Sequence, residues 1–400
     1  MQRLAFGILA VFLHVASLAA QSTSRWGDEL PPAPAIPDSR FTVPGLDQPI
    51  RWPAPPLHRP PASMRALYVN AWAFGGKRFH ELVRLADRTE VNAFVVDVKD
   101  DTGYLTYRSE VRTAIEIGAN QQLRARDTRE RLRIMREHGI FPIARIVVAK
   151  DPLLASRKSE WAVKHVDGGL WRDRLNFAWV DAFNDSVWIY AAELAAEAVR
   201  MGFAEVQYDY VRFPDEPESK LASALFSGRR PGETKRQGVT RNLRLLRERT
   251  KPLGVPFTID VFGLTTSARG DMGIGQYWED LVTTADVVLP MVYPSHYVRG
   301  VYNLKHPNSE PYQVIRRAMQ DALRRSAPLS TSAEIRPYLQ AFTLGAPRYT
   351  PAMVREQIRA AEELGLDSWV LWNPRSAYDP DIFRPETASA DRGAGPEEVM

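Results

Sequence analysis

The stretch Glu205-Val206-Gln207-Tyr208-Asp209-Tyr210-Val211-Arg212-Phe213-Pro214 alternates like a strand. Glu205, Gln207 and Asp209 share one face, and Asp209 lies nearest the exit. A second stretch, Thr258-Ile259-Asp260-Val261-Phe262-Gly263, puts Asp260 in an equivalent place. Polar residues are rare inside these apolar segments, so a carboxylate at a strand end reads as functional more readily than as filler. Cleavage of a glycosidic bond needs two carboxyl groups flanking it, one protonated and one ionised. On adjacent strands about 4.8 Å apart, Asp209 and Asp260 could supply such a pair as the candidate catalytic residues. The competing structural reading gives Asp209 an ion pair with Arg212 or Arg145, and makes Asp260 a loop brace.

Other candidates cluster at strand ends. Asp97-Val98-Lys99-Asp100-Asp101 closes another apolar run, with Asp97 and Lys99 expected on one face and able to pair. Arg145 interrupts an apolar strand and should meet a strand-end aspartate. Tyr68, Trp72, Tyr293 and Trp372 offer flat faces on which the C–H side of a sugar ring could stack. Asp100, Arg212, His296 and Asn373 complete the expected substrate contacts; His296 could equally serve a loop carbonyl. The seven histidines show no His-x-x-x-His spacing and there is no cysteine, so no metal or other cofactor is expected.

The elements that must hold these residues alternate. Strand patterns cover Arg65–Asn70, Ala93–Val98, Phe141–Val147, Glu205–Tyr210, Phe257–Val261, Val287–Met291, Arg336–Phe342 and Ser368–Trp372. Helical periodicity falls near Lys77–Arg88, Asp127–His138, Ser186–Met201, Lys235–Lys251, Gln276–Val282, Pro311–Ser326 and Pro351–Leu364. Gly139, Gly202, Gly254 and Gly365 serve as stops. Eight strands alternating with helices predict an α/β fold, a closed (β/α)8 TIM barrel over 63–380, rather than an open doubly wound sheet. Gly75-Gly76 lacks the dinucleotide spacing that such a sheet usually carries after its first strand. Segments leaving the strands are long and those entering them short, which places function on the C-terminal face.

Met1-Gln2-Arg3, the apolar run Leu4 to Leu18, and Ser17-Leu18-Ala19-Ala20 form the layout of a secretory signal peptide over 1–20. Export to the periplasm or medium follows, with no integral membrane domain once it is removed; the competing reading is an uncleaved anchor, for which about 15 apolar residues is short. Eleven prolines between Pro31 and Pro61 make 21–62 an extended linker, and 381–400 should be a loose tail. Charge is nearly balanced, 52 basic against 48 acidic residues. The densest basic stretch, Arg124 to Arg136, is interrupted by acids and reads as a solvated helix face, so nucleic acid is not an expected partner.

Five segments together resemble one family: Val96-Asp97-Val98-Lys99-Asp100-Asp101, Tyr208 to Pro214, Asp260-Val261-Phe262-Gly263, Pro290 to Tyr297, and Leu371-Trp372-Asn373-Pro374. It is a bacterial family classed by similarity as glycoside hydrolases, formerly a domain of unknown function, and the resemblance runs from about Arg65 to Tyr378. It implies a barrel related to the α-amylase-type clan, where a strand-four aspartate is the nucleophile and a strand-five carboxyl group, usually glutamate, the acid/base. Asp209 matches the first position; Asp260 stands at the second as an aspartate. The expected function is hydrolysis of an envelope or extracellular polysaccharide. The alternative is a catalytically silent barrel that binds glycan or an envelope partner.

Overall fold

The computed structural model describes residues 59–385. The expected signal segment, nearly all of the linker, and residues 386–400 lie outside them. Eight parallel strands close into a barrel: β1 Arg65–Val69, β2 Ala93–Lys99, β3 Phe141–Val147, β4 Glu205–Asp209, β5 Phe257–Phe262, β6 Val287–Met291, β7 and β8 Trp369–Trp372. β7 consists of two pieces, Glu334–Ile335 and Tyr338–Gln340. Each strand pairs with the next, and β8 returns to β1 through Arg65↔Trp369 and Leu67↔Leu371. No sheet edge is left in the barrel, which rules out the open sheet.

Seven helices follow the first seven strands: α1 Arg78–Ala86, α2 Thr128–Glu137, α3 Asp185–Met201, α4 Lys235–Thr250, α5 Trp278–Val282, α6 Pro311–Ser326 and α7 Pro351–Glu362. Their ends are chemically marked. Thr234 and Gln237 form a reciprocal capping box before α4, and Thr350 caps α7 with Pro351 at its first position. Gly202 closes α3 at φ 128°, a conformation a side chain would resist. Among the described residues β8 is followed by a 3₁₀ turn at Pro380–Ile382 instead of a helix.

Two apolar clusters hold the barrel. One fills its interior with Ala66, Val95, Ile143, Leu289 and Val370; the larger packs strand exteriors against the helices. No helix among the described residues is long and apolar enough to cross a membrane. The chain is not loose from 381 to 385: Ile382 and Phe383 are buried, Arg384 pairs with Glu362, and Pro385 bridges to Thr89. The barrel therefore runs five residues past its expected end, sealed by an apolar pair that the surrounding charge conceals in the sequence.

The post-strand loops build the C-terminal face. Lys164–His165 pairs antiparallel with Ala224–Leu225, tying the loops after β3 and β4 into one lobe. Gly75 lies against the Arg124 carbonyl, where a Cβ would come within 1.9 Å of the oxygen, so the loops after β1 and β2 touch through backbone. The basic stretch is only partly solvated. Arg131 is buried and donates to the Gly75 and Gly76 carbonyls, while the Arg124 guanidinium sits 4.9 Å from the Trp72 ring. Loop carbonyls and an aromatic face beside them attract these two arginines inward.

Candidate active site

Alternation in β4 is realised as read: Glu205 meets Arg336 at 2.8 Å, Gln207 accepts from the Tyr338 hydroxyl at 2.8 Å, and Asp209 meets Arg145. These contacts form a polar column up the barrel interior, and Asp209 tops it. The cleft above has a cavity of about 290 Å³, near the lower end of ligand-binding cavities (about 300–1,000 Å³). A larger hollow of about 800 Å³ lies beside α1 and α7, but none of the strand-end carboxylates lines it.

Arg145 organises the floor. Its guanidinium lies 2.5 Å from Asp97, 2.5 Å from Asp209 through Nη2, and 3.7 Å from Asp260 through Nε. Tyr68 donates to Asp97 at 2.5 Å, and its ring faces the same guanidinium at 5.5 Å. The Oδ2 atoms of Asp209 and Asp260 lie 3.2 and 3.7 Å from one Nε, so they are no more than about 7 Å apart. Asp209 also accepts the Tyr210 amide at 2.5 Å, with Tyr210 held at φ 54°, a strained value for a non-glycine residue.

The two aspartates differ in surroundings. Asp209 is bound by a cation, whereas neither carboxyl oxygen of Asp260 has a hydrogen-bond partner among the described residues. Burial pushes the Asp260 carboxyl well above the usual carboxylate range, and nearby Asp209 adds to this; Arg145 opposes it only in part. Asp97 is raised to about 6 by burial, with Arg145 and the Tyr68 hydroxyl pulling the other way. His296, buried beside Tyr293 with the Ser295 hydroxyl 3.0 Å from its Nδ1, is lowered by burial to about 3 and is therefore neutral.

Aromatic rings wall the cleft. Trp372 stacks on Tyr293 at 5.1 Å and meets Tyr68 edge-on at 6.0 Å. Trp72, 65% exposed, stands at the rim on a short helix, Ala71–Gly75, whose cap is Asn70. The cleft thus gathers Asp209, Asp260, Asp97, Asp100, Tyr68, Trp72, Arg145, Arg212, Tyr293, His296 and Trp372.

Two expected contacts do not line it. Lys99 does not share a face with Asp97, because the β2–β3 register shifts between them. That irregularity turns Lys99 outward, onto Asp151 at 2.5 Å, both fully buried. Asn373 is spent on tying the loops after β7 and β8 together, donating to the Ala341 and Ala377 carbonyls. Arg212 lines the cleft, but its guanidinium lies against Phe262 and Tyr210 and donates to the Phe213 carbonyl.

The sequence reading missed several lining groups. Asp101 pairs with Lys150 at 2.7 Å; Asp173 accepts from the Trp179 indole at 2.9 Å; Glu216 pairs with Arg174 at 2.5 Å; and Asp215 sits beside it. Lys150, Asp215 and Glu216 each follow a strand within a few residues, a signal that was available. Asp173 and Trp179 come from deep within a long loop and carry none. Among the described residues, no group of three or more His, Cys, Asp or Glu side chains is placed to hold a metal ion.

Residues 66–378 match the profile of a family described as "putative glycosyl hydrolase domain". The chain belongs to that family. No protein with a curated description matches it. Among solved structures, a hypothetical protein from Ruminiclostridium thermocellum is 41% identical over 46% of this chain and 92% of its own, with a TM-score of 0.42. The PgaB (BpsB) glycoside hydrolase domain from Bordetella bronchiseptica is 13% identical, covering 78% of this chain and 95% of its own, with a TM-score of 0.56. An exo-β-N-acetylglucosaminidase from Vibrio harveyi, 11% identical over 78% and 50%, has a TM-score of 0.50. These last two likenesses concern the fold. Family membership makes the domain glycoside-hydrolase-like and its substrate class carbohydrate.

Proposed function

We propose that this protein hydrolyses glycosidic bonds in a bacterial envelope or extracellular polysaccharide, after export directed by residues 1–20. Asp209 acts as the ionised carboxylate and Asp260 as the proton donor. One observation carries this reading: neighbouring carboxyl groups in one cleft have unlike surroundings. Arg145 pairs with Asp209, while burial without a hydrogen-bond partner pushes the Asp260 carboxyl well above the usual carboxylate range. Two carboxyls in such unlike surroundings are what acid-assisted glycoside cleavage requires.

An ionised Asp209 would offset the positive charge developing on the sugar ring, and protonated Asp260 would release the leaving oxygen. A limit of about 7 Å on the Oδ2 separation excludes most of the inverting range (about 6.5–9.5 Å) and admits the retaining distance of roughly 5.5 Å. Tyr293 and Trp372 supply the stacking wall, and Trp72 an outer platform. A silent binding barrel would have no need of a second carboxyl so near Asp209, and Asp260 weighs against it.

The test is to incubate the purified protein with a panel of bacterial polysaccharides, read new reducing ends, and follow the anomeric proton by NMR. Cleavage with net retention is expected. Binding of a glycan in the panel without any cleavage would contradict the hydrolase reading, and an inverted first product would contradict the direct role of Asp209 as nucleophile.

A further inference from the structure

The charge of the cleft opposes that of the chain. Eight acidic side chains line it against three basic ones, in a protein of net charge +4. All three cations are committed. Arg145 serves Asp97 and Asp209, Lys150 serves Asp101, and Arg212 is packed on aromatic rings with a carbonyl partner. A sugar bearing carboxylate, sulfate or phosphate would find no uncommitted cation here, and would be repelled by the carboxylates.

Two carboxyl groups face the cleft without a hydrogen bond or close ion pair among the described residues. Asp260, on the floor and 1% exposed, has no hydrogen-bond partner for either oxygen, and its nearest cation is Arg145 at 3.7 Å. Asp215, on the wall after β4, makes no hydrogen bond or close ion pair through its side chain, although Arg212, Arg174 and Lys235 lie near enough to attract it. Its neighbours explain why. Glu216 takes Arg174 at 2.5 Å and the Arg174 amide at 3.0 Å, anchoring the loop, while the Lys235 ammonium donates to the Gly273 carbonyl. Phe213, two residues before Asp215, is fixed through its amide to Ile274 at 2.9 Å. Asp215 is thus a half-buried acceptor on a loop pinned at both sides. What it lacks is a direct donor: a sugar hydroxyl could supply one, and a protonated amine a stronger, charge-assisted one.

We propose that the cleft takes a cationic oligosaccharide, one with free amino groups, and that Asp215 receives a protonated amine of the sugar. This rests on the hydrolase reading for the identity of the cleft, and it adds the substrate class. The full-length Asp209→Asn variant, which leaves ligand intact, is titrated calorimetrically with three probes of equal length. These are a glucosamine oligomer, its fully N-acetylated counterpart and an oligogalacturonate.

The amine-bearing oligomer should bind at least about tenfold more tightly than the acetylated one, as a charge-assisted hydrogen bond implies. That ratio should shrink as salt rises, and the oligogalacturonate should not bind measurably. Adding Asp215→Asn should bring the ratio close to one, and adding Asp215→Glu instead should keep part of it, which separates lost recognition from lost fold. Equal or tighter binding of the acetylated oligomer or the oligogalacturonate would overturn the proposal. So would a preference that survives Asp215→Asn. Wild-type turnover on the same probes is read separately. Amine preference without cleavage contradicts the hydrolase reading alone, whereas cleavage of both glucosamine-based probes without preference contradicts the cationic substrate alone.

Discussion

Three aspartates share the one guanidinium of Arg145, which offsets the burial of Asp97 and Asp260 only in part. Asp260 lies farthest from the cation and stays protonated well above the usual carboxylate range, chiefly through burial. With the folded pKa above the unfolded one, its contribution to stability is full below about pH 4 and is lost as pH rises toward the folded value. Asp260→Asn cannot titrate, so its urea midpoint should fall less steeply above pH 4 than that of the wild type. Parallel curves would show that Asp260 ionises normally. The Tyr68 hydroxyl, by donating to Asp97, favours its ionised form. Tyr68→Phe should therefore move the Asp97 titration upward from about 6, readable from its carboxyl carbon shift in NMR; a downward move would contradict the assignment.

Among the elements, strand interiors were legible because apolar runs of five to seven residues lie between polar turns, and most boundaries fall within one or two residues of those read. β7 departs furthest. It falls into two pieces around Arg336-Pro337, where Pro337 cannot donate although Arg336 still donates to Val288 and the Pro337 carbonyl accepts from Val370, and the pairing residues begin earlier, at Glu334. The irregularity in β2 could not be read either. Nothing in Asp97-Val98-Lys99 announces a register shift, and without one Lys99 would point into the barrel. Instead Lys99 and Asp151 form a buried pair beneath the loops that carry Asp100, Asp101 and Lys150. Asp151 also caps the helix Pro152–Arg157 through the Leu154 amide. Removing one partner strands the other charge, so Lys99→Met should cost about 3–5 kcal/mol. Asp151→Asn added to it should recover part of that, because the cap acceptor survives while the stranded charge does not. Urea unfolding of both variants checks this; a single variant within about 0.5 kcal/mol of wild type would refute it.

At the scale of the whole molecule, the asymmetry of loop lengths was the most informative signal, because it fixed which end of the barrel bears the cleft. The site was legible where strand alternation positions a side chain, as for Asp209, Asp260, Asp97 and Arg145. It was not legible where long loops fold back over the mouth, as for Asp173 and Trp179, whose placement depends on contacts distant in sequence. The proposed mechanism rests on the Asp209 carboxylate. Turnover of a cleaved glycan by Asp209→Asn, with circular dichroism to verify the fold, tests it most directly. The substitution keeps the shape and removes the charge, so turnover should fall at least about 10³-fold, equivalent to roughly 4 kcal/mol of transition-state stabilisation, while glycan binding changes far less. Near-normal turnover with the fold intact would contradict the account.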